Sequence, residues 1–166
     1  NRGGKGIKGM ATNNDDVVDS LLNMSTHDHL LFFTNAGKVY RLKGYNIPEF
    51  GRTAKGLPII NILNMDKGES IKSMISIKSD EVSDENFLFF VTKNGIVKRT
   101  PLAEFERIRQ TGKIAISLKD DDELINVRLT DGQDNVVLVT RKGIAITFTE
   151  KDVRPIGRTG QGVIGI

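Results

Sequence analysis

Four short stretches of the chain combine glycine with fixed cations: RGGKG at 2–6, GRTAKG at 51–56, RQTGK at 109–113 and GRTGQG at 157–162. Their glycines fall in register at Gly6, Gly56, Gly112 and Gly162, spaced by 50, 56 and 50 residues. Arg2 and Lys5 stand four and one residues before Gly6, Arg52 and Lys55 repeat those offsets before Gly56, and Arg158 repeats the arginine offset before Gly162. Glycine lets a backbone approach a partner closely and turn its N–H groups on an anion, and Arg and Lys neutralise that anion. One such loop could hold one phosphate; a series of them could follow a polyanion along a curved edge. The candidate contacts are Arg2, Gly3, Gly4, Lys5, Gly6 and Lys8 in the opening segment, and Lys38, Arg41, Lys43, Arg52 and Lys55 after it. Further along the chain they are Lys98, Arg99, Arg107, Arg109 and Lys113, then Arg141, Lys142, Arg154 and Arg158.

The distribution of charge supports this choice more than its total does. The formal net charge of the 166 residues is only +3. Yet the segments 1–9, 38–55, 93–113 and 141–158 hold 19 of the 24 Lys and Arg and only 5 of the 21 Asp and Glu. Other chemistries fit poorly. Gly4, Gly6 and Gly9 match G-x-G-x-x-G, but no strand precedes them in the chain and ATNNDD does not read as the helix that should follow. GKGIKGM has no Ser or Thr after its lysine, as a P-loop requires. His27 and His29 flank Asp28 without a third ligand cluster, and KDDDE at 119–123 lacks the glycine and spacing of a calcium loop. No nucleophile, base and orienting acid are placed together by the sequence. With no cysteine there is no disulfide framework and no thiolate metal site. No apolar run approaches the roughly 20 residues of a spanning helix. A soluble protein of a reducing cytoplasm is expected, and because the chain starts inside a motif, a piece of a longer polypeptide.

The elements that must position the cations recur as well. LLFFTNAGKVYRLKGYNIPEFGRTAKGLPIINIL (30–63), FLFFVTKNGIVKRTPLAEFERIRQTGKIAISL (87–118) and VVLVTRKGIAITFTEKDVRPIGRTGQGVIGI (136–166) share one grammar. An apolar β-rich run leads through Thr-x-x-Gly into a second run bearing cations. A connector, a basic glycine element and a last apolar run follow. Thr34 to Gly37, Thr92 to Gly95 and Thr140 to Gly143 each predict a hairpin turn, with glycine supplying positive φ. No helical period is sustained, and the connectors YNIPEF, TPLAEF and TEKDV predict short helical turns at most. Units of about 50 residues with roughly four strands each predict an all-β, propeller-like array. The repeat units run approximately over 1–10, 11–63, 64–118 and 119–166.

These residues resemble the C-terminal domain of the A subunit of bacterial DNA gyrase, a type IIA topoisomerase. RGGKGIKGM is similar to most of the gyrase box, whose family form is Gln-Arg-Arg-Gly-Gly-Lys-Gly. STHDHLLFFTNAGKVYRLKGYNIPEFGRTAKGLPIINIL and DVRPIGRTGQGVIGI resemble later repeats. Asn1 stands where the family has its first arginine, so the match begins at Arg2 and carries Gly3, Gly4, Lys5 and Gly6. The related topoisomerase IV A subunit typically lacks a well-formed box, so RGGKG favours gyrase. The resemblance implies a β-pinwheel of six four-stranded blades, of which this chain would form about half, with a basic rim that bends duplex DNA. It implies no catalytic residue, cofactor or metal in this segment, ATP and Mg being used elsewhere in the parent enzyme. It also implies, as partners, the remainder of the gyrase A polypeptide and the gyrase B polypeptide in an A2B2 assembly, in a bacterial, nucleoid-associated setting. The alternatives are a topoisomerase IV A-subunit domain that selects DNA segments, and a protein-interaction propeller with no DNA role whose basic loops meet an acidic protein, although the absence of Trp and scarcity of aromatics outside the strand runs weigh against the latter.

Overall fold

The computed structural model describes residues 29–43, 66–78, 85–106, 108 and 112–166. The opening decamer, the connector YNIPEF and the loop GRTAKG lie outside them. The strands in chain order are β1 (His29–Thr34), β2 (Lys38–Lys43), β3 (Ile71–Ile77), β4 (Phe87–Thr92), β5 (Ile96–Pro101), β6 (Lys113–Ile114), β7 (Leu124–Thr130), β8 (Asn135–Val139), β9 (Ala145–Thr149) and β10 (Val163–Ile164). The connectors TPLAEF and TEKDV contain single 3₁₀ turns, Leu102–Phe105 and Glu150–Asp152, in agreement with the sequence.

Each Thr-x-x-Gly step closes a hairpin by the same bonds. The N–H of Gly37, Gly95 and Gly143 donates to the carbonyl of Thr34, Thr92 and Thr140 at 3.0, 3.1 and 3.0 Å. The three glycines have φ of 78°, 85° and 86°, a region that costs any residue with a Cβ. The hydroxyls of Thr92 and Thr140 also accept the N–H of Ile96 and Ile144, both at 3.1 Å. β1 then pairs antiparallel with β2, β4 with β5, and β8 with β9.

Each of the first two hairpins is widened by strands from later in the chain. One sheet has the order β3-β1-β2-β6 and a second the order β10-β5-β4-β7. The two are built alike, a long strand flanking the first hairpin strand and a two-residue strand flanking the second. They even share an irregularity, since the register shifts between Phe33 and Thr34 against β3 and between Val91 and Thr92 against β7. Successive stretches of chain are thus woven into one another's sheets. The β8–β9 pair forms a two-stranded sheet whose Val137 and Val139 are largely exposed.

Apolar side chains from neighbouring sheets fill the space between them. Leu31, Phe33 and Val39 of the first sheet pack with Leu88, Phe90 and Val127 of the second, and with Leu102, Phe105 and Ile116 from the connecting segments. Phe33 and Phe90 meet edge to face with ring centroids 5.5 Å apart, a geometry worth about 0.5–1.5 kcal/mol beyond area burial. A second cluster, Phe89, Val97, Leu138 and Val153, joins the second sheet to the β8–β9 hairpin. β5 is therefore covered on both faces, and Val97, Lys98, Arg99 and Thr100 are all buried. Exposure does not alternate along this strand because neither of its faces meets water.

The in-register glycines have a structural reason of their own. Gly112 and Gly162 have φ of 80° and 98°. A Cβ at Gly112 would lie 2.7 Å from the Tyr40 ring, and one at Gly162 would lie 2.5 Å from the Val97 carbonyl oxygen. The close approach they permit is to the preceding sheet. Gly162→Ala is expected to destabilise the fold by about 2–3 kcal/mol, from the left-handed conformation and the backbone collision together. Urea denaturation would register this as a lower midpoint, and an unchanged midpoint would contradict the packing described.

Candidate nucleic-acid interface

The loop 157–162, the third-repeat counterpart of the opening RGGKG, is fixed by bonds to neighbouring elements. Its own turn is closed by the N–H of Gly160 donating to the Gly157 carbonyl at 3.0 Å. The Arg158 N–H donates to Glu104 Oε2 at 2.6 Å, from the 3₁₀ turn after β5. Ser117, just beyond β6, donates its hydroxyl to the Thr159 carbonyl at 2.6 Å and its N–H to the Gly160 carbonyl at 3.1 Å. The Arg158 guanidinium reaches the Ile114 carbonyl at 2.7 Å, next in the chain to exposed Lys113. Two expected cations of different repeats thereby become neighbours, with Arg158 half-exposed.

Exposure sorts the remaining candidates. Lys113, Arg141, Lys142 and Arg154 are exposed; Arg141 and Lys142 occupy the tip of the β8–β9 hairpin. Lys93, absent from the cations expected on the sequence, sits exposed at the equivalent tip of β4–β5. Its place in Thr-x-x-Gly, one residue after Thr92 as Arg141 is after Thr140, was the available signal. Arg2, Gly3, Gly4, Lys5, Gly6, Lys8, Arg52, Lys55, Arg107 and Arg109, together with the side chain of Lys43, lie outside the described residues.

Besides Arg158, four candidates are engaged by groups of the protein itself. The Lys38 ammonium bonds Asp66 Oδ2 at 2.6 Å and lies 3.5 Å from Glu69. The hydrogen bond with Asp66 holds Lys38 above the usual lysine range and the Asp66 carboxyl below its own. Burial, reinforced by the charge of Glu69, pushes the neighbouring Tyr40 phenol up to about 12, while its hydroxyl donates to Glu69 at 3.1 Å. Arg41 donates to the Glu106 carbonyl. Lys98 and Arg99 depart furthest from the expectation of rim cations. Lys98 is 0% exposed, and its ammonium is held by the carbonyls of Ala115, Arg158 and Gly160 at 2.5, 2.7 and 3.3 Å. The Arg99 Nε donates to the Val153 carbonyl at 2.9 Å, and its Nη1 lies 3.6 Å from Glu150, which is 0% exposed. The guanidinium also stacks 4.4 Å above the Phe87 ring. Because β5 is buried on both faces, a cation there is stable only with internal partners. It has no surface from which to meet a ligand.

The carboxylates of Asp131, Asp134 and Glu150 approach within 4.8 Å of one another. Glu150 is already engaged, accepting from the Thr130 hydroxyl and the Asp134 N–H at 2.8 Å each and facing Arg99. KDDDE is the solvated turn that was expected: Asp120 and Asp121 are exposed, and Asp122 Oδ1 accepts the N–H of Asn94 at 3.0 Å. No helix among the described residues is long and apolar enough to cross a membrane.

A model of the DNA gyrase C-terminal domain, a β-propeller, matches residues 1–23, 28–78, 86–131 and 134–166. The chain belongs to this family. Gyrase A relatives agree along the whole sequence: it is 54% identical over all 166 residues to the DNA gyrase A protein of Staphylococcus epidermidis (strain ATCC 12228). It is 52% identical over the same length to that of Staphylococcus aureus (strain MRSA252). It spans 18% and 19% of those two proteins. Among solved structures, the C-terminal domain of DNA topoisomerase IV superposes with a TM-score of 0.72 at 33% identity, over 85% of this chain and 43% of that one. The C-terminal domain of DNA gyrase A superposes with a TM-score of 0.66 at 29% identity, over 86% of this chain and 44% of that one. The all-β, propeller-like architecture of repeated four-stranded sheets expected from the sequence is the one that the gyrase family shares.

Proposed function

We propose that this gyrase-family segment binds duplex DNA without regard to sequence, and bends it along a row of basic loops to support ATP-dependent negative supercoiling by its parent topoisomerase. The observation that carries the reading is the fixed loop 157–162, which sets Arg158 beside the strand that bears exposed Lys113. Fixed cations suit the phosphate backbone, which positions a protein but carries no base code. Arg141, Lys142, Lys93 and Arg154 add exposed positive charge from neighbouring elements. Strand cleavage and ATP hydrolysis with Mg belong to other parts of the parent enzyme. This segment supplies the geometry, within an assembly of gyrase A and gyrase B polypeptides in the bacterial cytoplasm at the nucleoid.

Bending through 40–90° over 20–30 base pairs costs on the order of 1–6 kcal/mol. Several distributed phosphate contacts offset such a cost without any new chemistry. Affinity should differ little between unrelated duplexes and fall with salt with a log–log slope of about −0.9 per phosphate neutralised. Fluorescence anisotropy of labelled duplexes over a salt series checks this. A salt-insensitive complex, or preference for an acidic protein over DNA, would replace the reading with that of a protein-interaction propeller.

A further inference from the structure

Lys98 makes none of the proposed phosphate contacts, yet its surroundings are unusually specific for a lysine. An ammonium has three N–H donors and no acceptor, and here it meets three backbone carbonyls, of Ala115, Arg158 and Gly160. Two of these belong to the loop 157–162 and the third to the segment just after β6, so one buried charge joins both cation-bearing stretches from beneath. The Phe90 ring, 5.2 Å from the ammonium, closes the site on another side. The equivalent strand position in the preceding sheet is Tyr40 and in the following hairpin Ile146, so the bond set is special to this junction.

We infer that Lys98 is a positioning residue of the nucleic-acid interface: its ammonium clasps the loop 157–162 to the 115–117 segment and thereby holds Arg158 beside Lys113 for adjacent phosphates. Glu104 completes the arrangement from the other side through the Arg158 N–H. Without the clasp, the Arg158 and Gly160 carbonyls lose a buried donor and the loop has reason to turn them to water. The cations would remain, but their spacing would not. This inference rests on the proposed DNA-binding function.

The same geometry makes the clasp sensitive to pH. Burial pushes Lys98 down to about 7, and Arg158 adds to that shift while Glu104 opposes it. Those two are the charged groups that face it among the described residues. The side chain is therefore mainly an ammonium, with all three donors, only below about 7. On deprotonation one donor disappears and a lone pair faces the carbonyl cage, which loosens the loop. Between about 7 and the 10.5 of a free lysine, the unfolded chain binds more protons than the folded one. The fold itself therefore gains stability as pH rises through that window, so affinity that falls there reports the loop and not unfolding.

The test uses the full-length polypeptide that carries this chain, a labelled duplex, and Lys98→Met. Wild type should lose affinity about five- to tenfold between pH 6.5 and 8.5, a loss comparable with one ordinary hydrogen bond. Lys98→Met should start weaker by a similar factor, show a flat pH profile, and have a salt slope smaller by about 0.9–1.8, one to two phosphates. Amide exchange should accelerate at 115–117 and 157–162. Should Lys98→Met fail to fold, Glu104→Ala, at an exposed position, is expected to reduce the salt slope and the protection of 157–162 in the same direction. A folded Lys98→Met that shares the pH profile and salt slope of wild type overturns the role of Lys98 and leaves the DNA-binding reading standing, and so, where only Glu104→Ala folds, does a wild-type affinity that does not fall between pH 6.5 and 8.5. A wild type with no affinity for duplex DNA overturns that reading first, and the inference with it.

Discussion

Arg99→Met is expected to lower the stability of the chain by about 3–5 kcal/mol, the cost of removing one partner of a buried ion pair. Glu150 is 0% exposed, and its carboxylate keeps only the Thr130 hydroxyl and the Asp134 N–H once the guanidinium is gone. The Val153 carbonyl loses its donor and the Phe87 ring its stacked cation. Arg99 ties β5 to the connector after β9, so the loss falls on the junction between the second sheet and the last hairpin. Urea denaturation monitored by circular dichroism would show a lower midpoint at an unchanged slope. Adding Glu150→Gln should recover a large part of the loss, because the surviving charge is what makes the single change costly. A single variant within about 0.5 kcal/mol of wild type, the range of ordinary surface substitutions, would return Arg99 to the surface role suggested by its charge alone.

That pair also marks where sequence reasoning stops. The hairpins were legible because their signals are local: Thr92 and Gly95 lie three residues apart and bond to each other directly. The short turns Leu102–Phe105 and Glu150–Asp152 were legible because their connectors show no sustained helical period. That blades exchange strands followed only from the family resemblance, and which strands are exchanged was not legible in the residues. β6 and β10 are two residues long, and nothing in Lys113–Ile114 or Val163–Ile164 names β2 or β5 as its partner. Charge alone does not distinguish a rim cation from Lys98 and Arg99, which occupy a strand covered on both faces. The sequence did carry one hint, since Lys98 is aligned with Tyr40, a bulky residue that is also buried. The register of Gly112 and Gly162 was real, but what they admit is the preceding sheet, the Tyr40 ring at one and the Val97 carbonyl at the other, and not a ligand.

Replacing Arg2, Lys5 and Lys8 together by Ala should abolish DNA bending while DNA binding survives. The three cations belong to the opening RGGKGIKGM, outside the described residues, and serve here as the terminal anchor of the proposed row. Losing three phosphate contacts lowers the salt slope by at most about 2.7, at about 0.9 each. The other loops still hold the duplex. Bending is another matter, because a curved duplex needs anchors at both ends of its arc, and the released end straightens to recover elastic energy of up to several kcal/mol. In the parent enzyme, negative supercoiling should be suppressed with relaxation largely retained, as gel assays of the two activities would reveal. Equal loss of both activities would remove the opening segment from the account.

Whether this segment bends duplex DNA by fixed phosphate contacts is decided by fluorescence transfer between dyes at the two ends of a bound duplex. With the full-length polypeptide, two duplexes of unrelated sequence should both show their ends drawn together on binding, to the same distance, and should relax to the free length as salt is raised. Ends that stay at the free-duplex distance in a saturated complex, or that approach in one sequence and not in the other, would contradict bending by such contacts.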